Sequence, residues 1–178
     1  MRFYELFSVL IVLLLCGCQD AYIEASVSME PTIKKGDTVI VDPKFYSSAS
    51  DVKRWNLIAY KFTPVEGQET IFLKRVIGLP NEKISFSKNK IFINSKELII
   101  PDNVPIDPNT ILRNDFYISP ARPSMKVPNK SFFVLGDNVI KSADSRTYGV
   151  VKFQDIIGPL TEIIRKDGTV ILQAVHRE

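Results

Sequence analysis

The apolar positions change rhythm once along this chain. Leu6-Phe7-Ser8-Val9-Leu10-Ile11-Val12-Leu13-Leu14-Leu15 is a single apolar run, extended by Cys16-Gly17-Cys18, and a run of that kind must enter a bilayer. Beyond it the apolar stretches become short, β-branched and bounded by turn residues, which is the pattern of strands. It predicts strands at Thr38–Val41, 57–60, 71–77, Ser131–Leu135, Ile156–Ile164 and 169–172. Lys83–Ser87 and Lys90–Ile93 alternate apolar and polar residues across Lys88-Asn89, a hairpin signal. Residues 33–37, with Gly36, read as a turn, and 47–53 as a polar loop. The stretch 101–128 holds six prolines and reads as an irregular surface excursion. Little of the chain looks helical, so the expectation is a mainly β body behind one N-terminal membrane segment.

That segment allows three readings. It is shorter than the roughly 20 apolar residues of a full span, which suits a cleavable signal peptide; it also serves as an uncleaved anchor. Leu15-Cys16-Gly17-Cys18 resembles a bacterial lipobox with Cys18 as the acylated residue. All three export the domain. If residues 1–18 are retained, the nine residues from Gln19 to Val27 hold Ser28 within a few tens of ångströms of the bilayer, at roughly 3.3 Å per extended residue.

Composition narrows the picture further. With 178 residues and 45% hydrophobic content, residues 19–178 suffice for one domain with its own core. The net charge of +3 is spread among acids and is not interleaved with stacking aromatics, which argues against a nucleic-acid surface and leaves a mild attraction to anionic lipid. Cys16 and Cys18 are the only cysteines, so the body has neither a disulfide framework nor a cysteine metal site.

Candidate chemistry starts from the histidine count. The one histidine, His176, lies two residues from the C-terminus, where a Ser-His-Asp relay would rest on a chain end. A lysine serves as base instead when burial strips its proton. Lys74 sits inside the apolar run Ile71-Phe72-Leu73-Lys74-Arg75-Val76-Ile77, and Ser28, in Ser26-Val27-Ser28-Met29-Glu30-Pro31-Thr32, is the candidate nucleophile. Strand alternation sends Lys74 and Arg75 to opposite sides, Lys74 inward and Arg75 outward. The competing reading is that both side chains snorkel to solvent.

Three blocks in order, Ser26-x-Ser28-Met29-x-Pro31-Thr32, Lys74-Arg75-Val76-Ile77-Gly78-Leu79-Pro80 and Gly136-Asp137-Asn138 with Ser142-Ala143-Asp144-Ser145-Arg146, resemble the type I signal peptidases. They span about two-thirds of the chain, from Ser26 to Gly149. The resemblance implies a coiled, partly barrel-like β-domain, extracytoplasmic and membrane-anchored, with a hairpin and loop insertion at 81–130. It implies Ser28 as nucleophile and Lys74 as general base, with no cofactor. The Ser28 N–H and the Ser26 hydroxyl would form the oxyanion hole, although Ser26 also reads as a turn residue bonding its own backbone. Ser142 would orient the lysine. Asp144 and Arg146 would pair and brace their loop, against the alternative of a surface salt bridge of roughly 0 to 1 kcal/mol. Met29 and Leu73 would line the substrate pocket, with exported preproteins bound as added strands and cleaved after short side chains.

The chain departs from the family pattern at Arg54-Trp55-Asn56, Asn81-Glu82 and Val139-Ile140, where the family carries Arg-Gly-Asp, Gly-Asp and Arg-Asp. These changes remove charged and turn-forming supports but no reacting group. They leave room for a specialised peptidase that matures one pilin or secreted partner, as in conjugative-pilin processing, or for a non-catalytic exported β-domain resembling a lipoprotein.

Overall fold

A computed structural model of the chain describes residues 19–63, 67–87, 89–107, 110 and 124–172. The apolar segment 1–18, with Cys16 and Cys18, and His176 lie outside the described residues, as do the expectations that rest on them. In chain order the strands are β1 (Asp20–Ile23), β2 (Thr38–Val41), β3 (Leu57–Phe62), β4 (Thr70–Gly78), β5 (Lys83–Ser87), β6 (Lys90–Ile93), β7 (Lys96–Glu97), β8 (Ser124–Lys126) and β9 (Ser131–Leu135). A short helix α1 (Ser145–Tyr148) precedes β10 (Val151–Lys152), β11 (Ile156–Ile164) and β12 (Val170–Leu172).

Eight strands form one antiparallel sheet in the order β1-β2-β11-β3-β4-β9-β10, with β12 beside β11. The nine-residue β11 makes this sheet coil. Its first half pairs with β3 and its second half with β2 and β12, and the register shifts between Ile156 and Gly158 and again between Leu160 and Glu162. Such bulges bend a strand and sharpen its twist. Gly158 is required at the bend, because a Cβ there would lie 2.1 Å from the Asp42 carbonyl oxygen.

The central strands are covered on both faces. On β3, Leu57 and Ala59 point into a cluster with Met29, Ile33, Val39, Val41, Leu73, Leu160 and Ile163. Ile58 and Tyr60 point the other way, onto Val52, Val76, Phe132, Val134 and Val151. The alternation of side chains along a strand divides the two clusters. The second sheet, β7-β6-β5-β8, contains the expected hairpin, with Ile84 opposite Ile93 and Asn89 in the left-handed region at φ 62°. Ile84, Ile91 and Ile93 dock it onto Ile77, Phe133 and Leu135 of the main sheet.

Three local expectations change. The segment before Ser28 is more than a tether, since β1 pairs with β2 along its full length. The proline-rich stretch contains β8, which pairs with β5. Both strands carry mostly exposed side chains, so main-chain pairing creates them and no apolar alternation announces them. The helix α1 forms because the Asp144 carboxylate caps its start, accepting from the Arg146 N–H.

Candidate active site

Ser28 lies in a turn held from below by apolar anchors. Met29 and Ile33 are fully buried, and the Ile33 N–H donates to the Met29 carbonyl at 2.9 Å. The segment carrying Asn138 fixes it from the side: the Asn138 N–H donates to the Ser28 carbonyl at 3.0 Å and the Asn138 amide to the Val27 carbonyl at 3.1 Å. Gly136 permits this approach, for a Cβ there would fall 2.4 Å from the Ser28 carbonyl oxygen and 2.2 Å from Ser142 Oγ.

Lys74 emerges from the middle of β4, flanked by β3 and β9. Its Nζ donates to Ser28 Oγ at 2.8 Å and to the Leu73 carbonyl at 3.0 Å. Only 3% of Lys74 and 6% of Ser28 is exposed, which removes the snorkelling alternative for the lysine. Burial lowers the amine from 10.5 to about 8, opposed by the negative charges of Asp144, Glu24 and Asp137. At neutral pH on the order of one lysine in ten is then free base, against fewer than one in a thousand for an exposed lysine.

The Ser26 hydroxyl touches Ser28 twice, donating to Ser28 Oγ at 3.0 Å and accepting from the Ser28 N–H at 3.2 Å. Ser26 is therefore both a turn residue satisfying local backbone and a neighbour of the serine oxygen. Ser142 is buried beside Gly136, but its hydroxyl bonds the Ala143 carbonyl at 3.4 Å. Among the described residues it shares no hydrogen bond with Lys74. Met29 has no exposed surface and Leu73 only 5%, both belonging to the core under the nucleophile turn.

Asp144 and Arg146 do not form a surface pair. Arg146 Nε and Nη2 reach the two Asp144 oxygens at 2.8 Å each, with the side chains 3% and 0% exposed. Asp144 also accepts from the Gly136 N–H, and Arg146 Nη2 donates to the Val139 carbonyl at 2.7 Å. The pair thus cross-braces the loop from Gly136 to Arg146. Arg75 does point away from Lys74, yet it is buried: its Nε and Nη2 meet the Asp137 carboxylate at 2.7 and 2.6 Å. Thr32 also donates to that carboxylate. This second buried pair, missed from the sequence, ties β4 to the nucleophile turn. Its signal was available, since Arg75 adjoins Lys74 and Asp137 lies in the Gly-Asp-Asn block.

The departures keep more support than their residue types suggest. The Glu82 carboxylate accepts from the Leu79 N–H at 2.7 Å and pairs with Arg54 at 2.6 Å. Asn81 takes the left-handed conformation at φ 69°, and Trp55 does so at φ 74° while its carbonyl accepts from Arg75. Glu82 therefore supplies a charge to the Arg54 that the first of these blocks retains, and Asn81 and Trp55 take the turn conformations. Val139 joins the core, and Ile140 is left exposed.

A buried amine set against a serine hydroxyl on an antiparallel β scaffold has the makings of a serine-type hydrolase site. Comparison with known proteins agrees: the family model for signal peptidase, peptidase S26, matches residues 2–164. The chain belongs to that family and is a serine endopeptidase of the signal peptidase type. It is 29% identical over 168 residues to signal peptidase I V of Bacillus subtilis, covering 90% of this chain and 97% of that protein. It is 31% identical over 140 residues to signal peptidase I of Bacillus caldolyticus, covering 77% and 74%. A crystal structure of a signal peptidase I from Enterococcus faecalis aligns at a TM-score of 0.46 and 31% identity, over 62% of this chain and 97% of that one.

Proposed function

We propose that this protein removes signal peptides from exported precursors with Ser28 as nucleophile and Lys74 as general base. The observation that carries the reading is the 2.8 Å contact between Lys74 Nζ and Ser28 Oγ in a buried setting that weakens the lysine's hold on its proton. In the neutral amine form Lys74 accepts the Ser28 proton as Oγ attacks the scissile carbonyl carbon. The oxyanion takes hydrogen bonds from the Ser28 N–H and the Ser26 hydroxyl. In the free enzyme these two donors are turned on each other and on Ser28 Oγ, so substrate has to displace those contacts. Collapse of the tetrahedral species breaks the C–N bond. The Lys74 ammonium returns its proton to the departing amine, leaving the signal peptide esterified to Ser28. Water, deprotonated by Lys74, then attacks the ester; the acyl C–Oγ bond breaks, the Lys74 ammonium returns the proton to Ser28 Oγ, and the signal peptide leaves as its carboxylate.

Ser142, across Gly136 from the nucleophile turn, would steady the amine by a rotation of its hydroxyl. Asp144 and Arg146 would hold the loop that carries it. Met29 and Leu73 bound the pocket for the residues preceding the scissile bond, which fit best with short side chains, and the substrate lies extended, adding a strand. Residues 1–18 act as a retained single-pass anchor, with 19–178 forming the extracytoplasmic peptidase domain at the lipid surface. The support for the anchor is the apolar run and the shortness of the link to β1.

Incubating a preprotein bearing a signal peptide with the wild type, Ser28→Ala and Lys74→Arg tests the reading. Cleavage after a short side chain is expected from the wild type alone. Arginine stays protonated at any working pH, so turnover by Lys74→Arg would overturn Lys74 as base.

A further inference from the structure

One buried carboxylate beside this site has no place in the mechanism above. Glu24 leaves the end of β1 with 6% of its surface exposed. Its main chain is clamped by the 34–37 turn, donating to the Asp37 carbonyl at 2.9 Å and accepting from the Gly36 N–H at 2.7 Å. Its side chain reaches forward along the chain, and Oε1 accepts from the Ser26 N–H at 2.6 Å. Ser26 in turn contacts the amide and the hydroxyl of Ser28, and Ser28 contacts Lys74. Glu24 is thus connected, through the Ser26 residue and its two hydrogen-bonding groups, to Ser28 and the amine.

The charges facing Lys74 distinguish Glu24 from its neighbours. Asp144, on the loop before α1, is neutralised by Arg146, and Asp137, after β9, by Arg75. Among the described residues Glu24 has no ion pair. Its carboxylate accepts from a backbone N–H, and its charge, like theirs, opposes the loss of the Lys74 proton. When Lys74 takes up the serine proton, a positive charge appears in a buried place, and a carboxylate without a cationic partner of its own stabilises it there.

We propose that Glu24 is a positioning residue for the Ser28/Lys74 pair: its carboxylate fixes the Ser26 peptide so that the Ser26 hydroxyl sits over Ser28, and it balances the ammonium that forms on Lys74 during attack. The inference rests on the reading of Ser28 and Lys74 given above. The two functions separate chemically. Glu24→Gln keeps an oxygen that accepts from the Ser26 N–H and loses the charge; Glu24→Ala loses both.

Turnover of a preprotein substrate is measured against pH for the full-length wild type and both variants in detergent. The Lys74 side-chain NMR signal is titrated in parallel, which reads protonation independently of turnover. For Glu24→Gln the lysine titration and the acid limb of the rate profile are both expected to move to lower pH by roughly half a unit or more, since a negative charge no longer favours the ammonium. Glu24→Ala is expected to add a fall of roughly tenfold in kcat with KM little changed, because Ser26 is released as well. A Glu24→Gln titration superposed on the wild type overturns the electrostatic role, and a wild-type kcat in Glu24→Ala overturns the positioning role. Turnover by Lys74→Arg overturns the dyad and this inference with it. An inactive Lys74→Arg beside unmoved Glu24→Gln curves and a wild-type kcat in Glu24→Ala overturns Glu24 alone.

Discussion

A lysine kept ready to release its proton weakens the fold that keeps it, and this cost is measurable. Burial moves Lys74 from 10.5 to about 8, a difference of about 2.5 units, or roughly 3 kcal/mol at 1.36 kcal/mol per unit. The sign follows from which state holds the proton. Between pH 8 and 10.5 the unfolded chain keeps a lysine proton that the folded chain has released, so unfolding takes up a proton and stability rises with pH. At pH 7, below both values, the folded state bears the whole cost; above 10.5 it bears none. Lys74→Met removes the titration and leaves a flexible side chain of similar length. It also loses the bonds to Ser28 Oγ and the Leu73 carbonyl, a pH-independent loss of about 1 kcal/mol each. Tyr46, Tyr60 and Tyr148, whose hydroxyls burial raises far above 10, destabilise the fold only above that pH, and they do so in both proteins. Urea unfolding of the full chain and of Lys74→Met in non-ionic detergent, from pH 7 to 10.5, gives the difference curve. The variant's stability relative to the wild type is expected to fall by roughly 3 kcal/mol across that interval. A difference that stays level with pH would refute the argument, whatever its sign.

Other consequences are equally direct. Turnover should rise about tenfold per pH unit on the acid side and level off near pH 8, where Lys74 becomes free base; a profile flat from pH 6 to 9 would contradict this. Asp144→Ala or Arg146→Ala strands a buried charge and should cost roughly 3 to 5 kcal/mol in denaturant unfolding, far more than a surface pair. Gly136→Ala drives a methyl group into the Ser28 carbonyl and Ser142 Oγ, so cleavage should fall steeply, and retention of wild-type kcat would show that the nucleophile turn is not held from that side. Intact mass of the membrane-extracted protein should show a chain beginning near Met1; one beginning at a lipid-bearing Cys18 would replace the anchor with acyl chains.

Strand positions were legible in the sequence wherever a strand buries side chains. The residues 57–60, 71–77 and Ser131–Leu135, covered on both faces, read as short apolar runs, and the hairpin about Asn89, covered on one, reads as alternation. β1 and β8 show neither, since their contribution is main-chain hydrogen bonding, which leaves no mark on side-chain type. The same division runs through the site. A lysine inside an apolar run and a serine in a turn could be singled out from residue type alone, and alternation separated Lys74 from Arg75. What lay over each face could not be read. The opposite side of β4 is covered by Asp137, so Arg75 is buried and ion-paired instead of solvated. Met29 and Leu73 meet Val39, Leu57 and Leu160 in one apolar cluster. Asp144 and Arg146 are neighbours in sequence whose worth depends on being sealed from water, and Glu24 lies two residues from Ser26 with nothing local to mark it. Spacing along a chain fixes the direction in which a side chain leaves the backbone. Its surroundings, and hence its charge state and partners, depend on segments more than 40 residues away that only the folded sheet brings within reach.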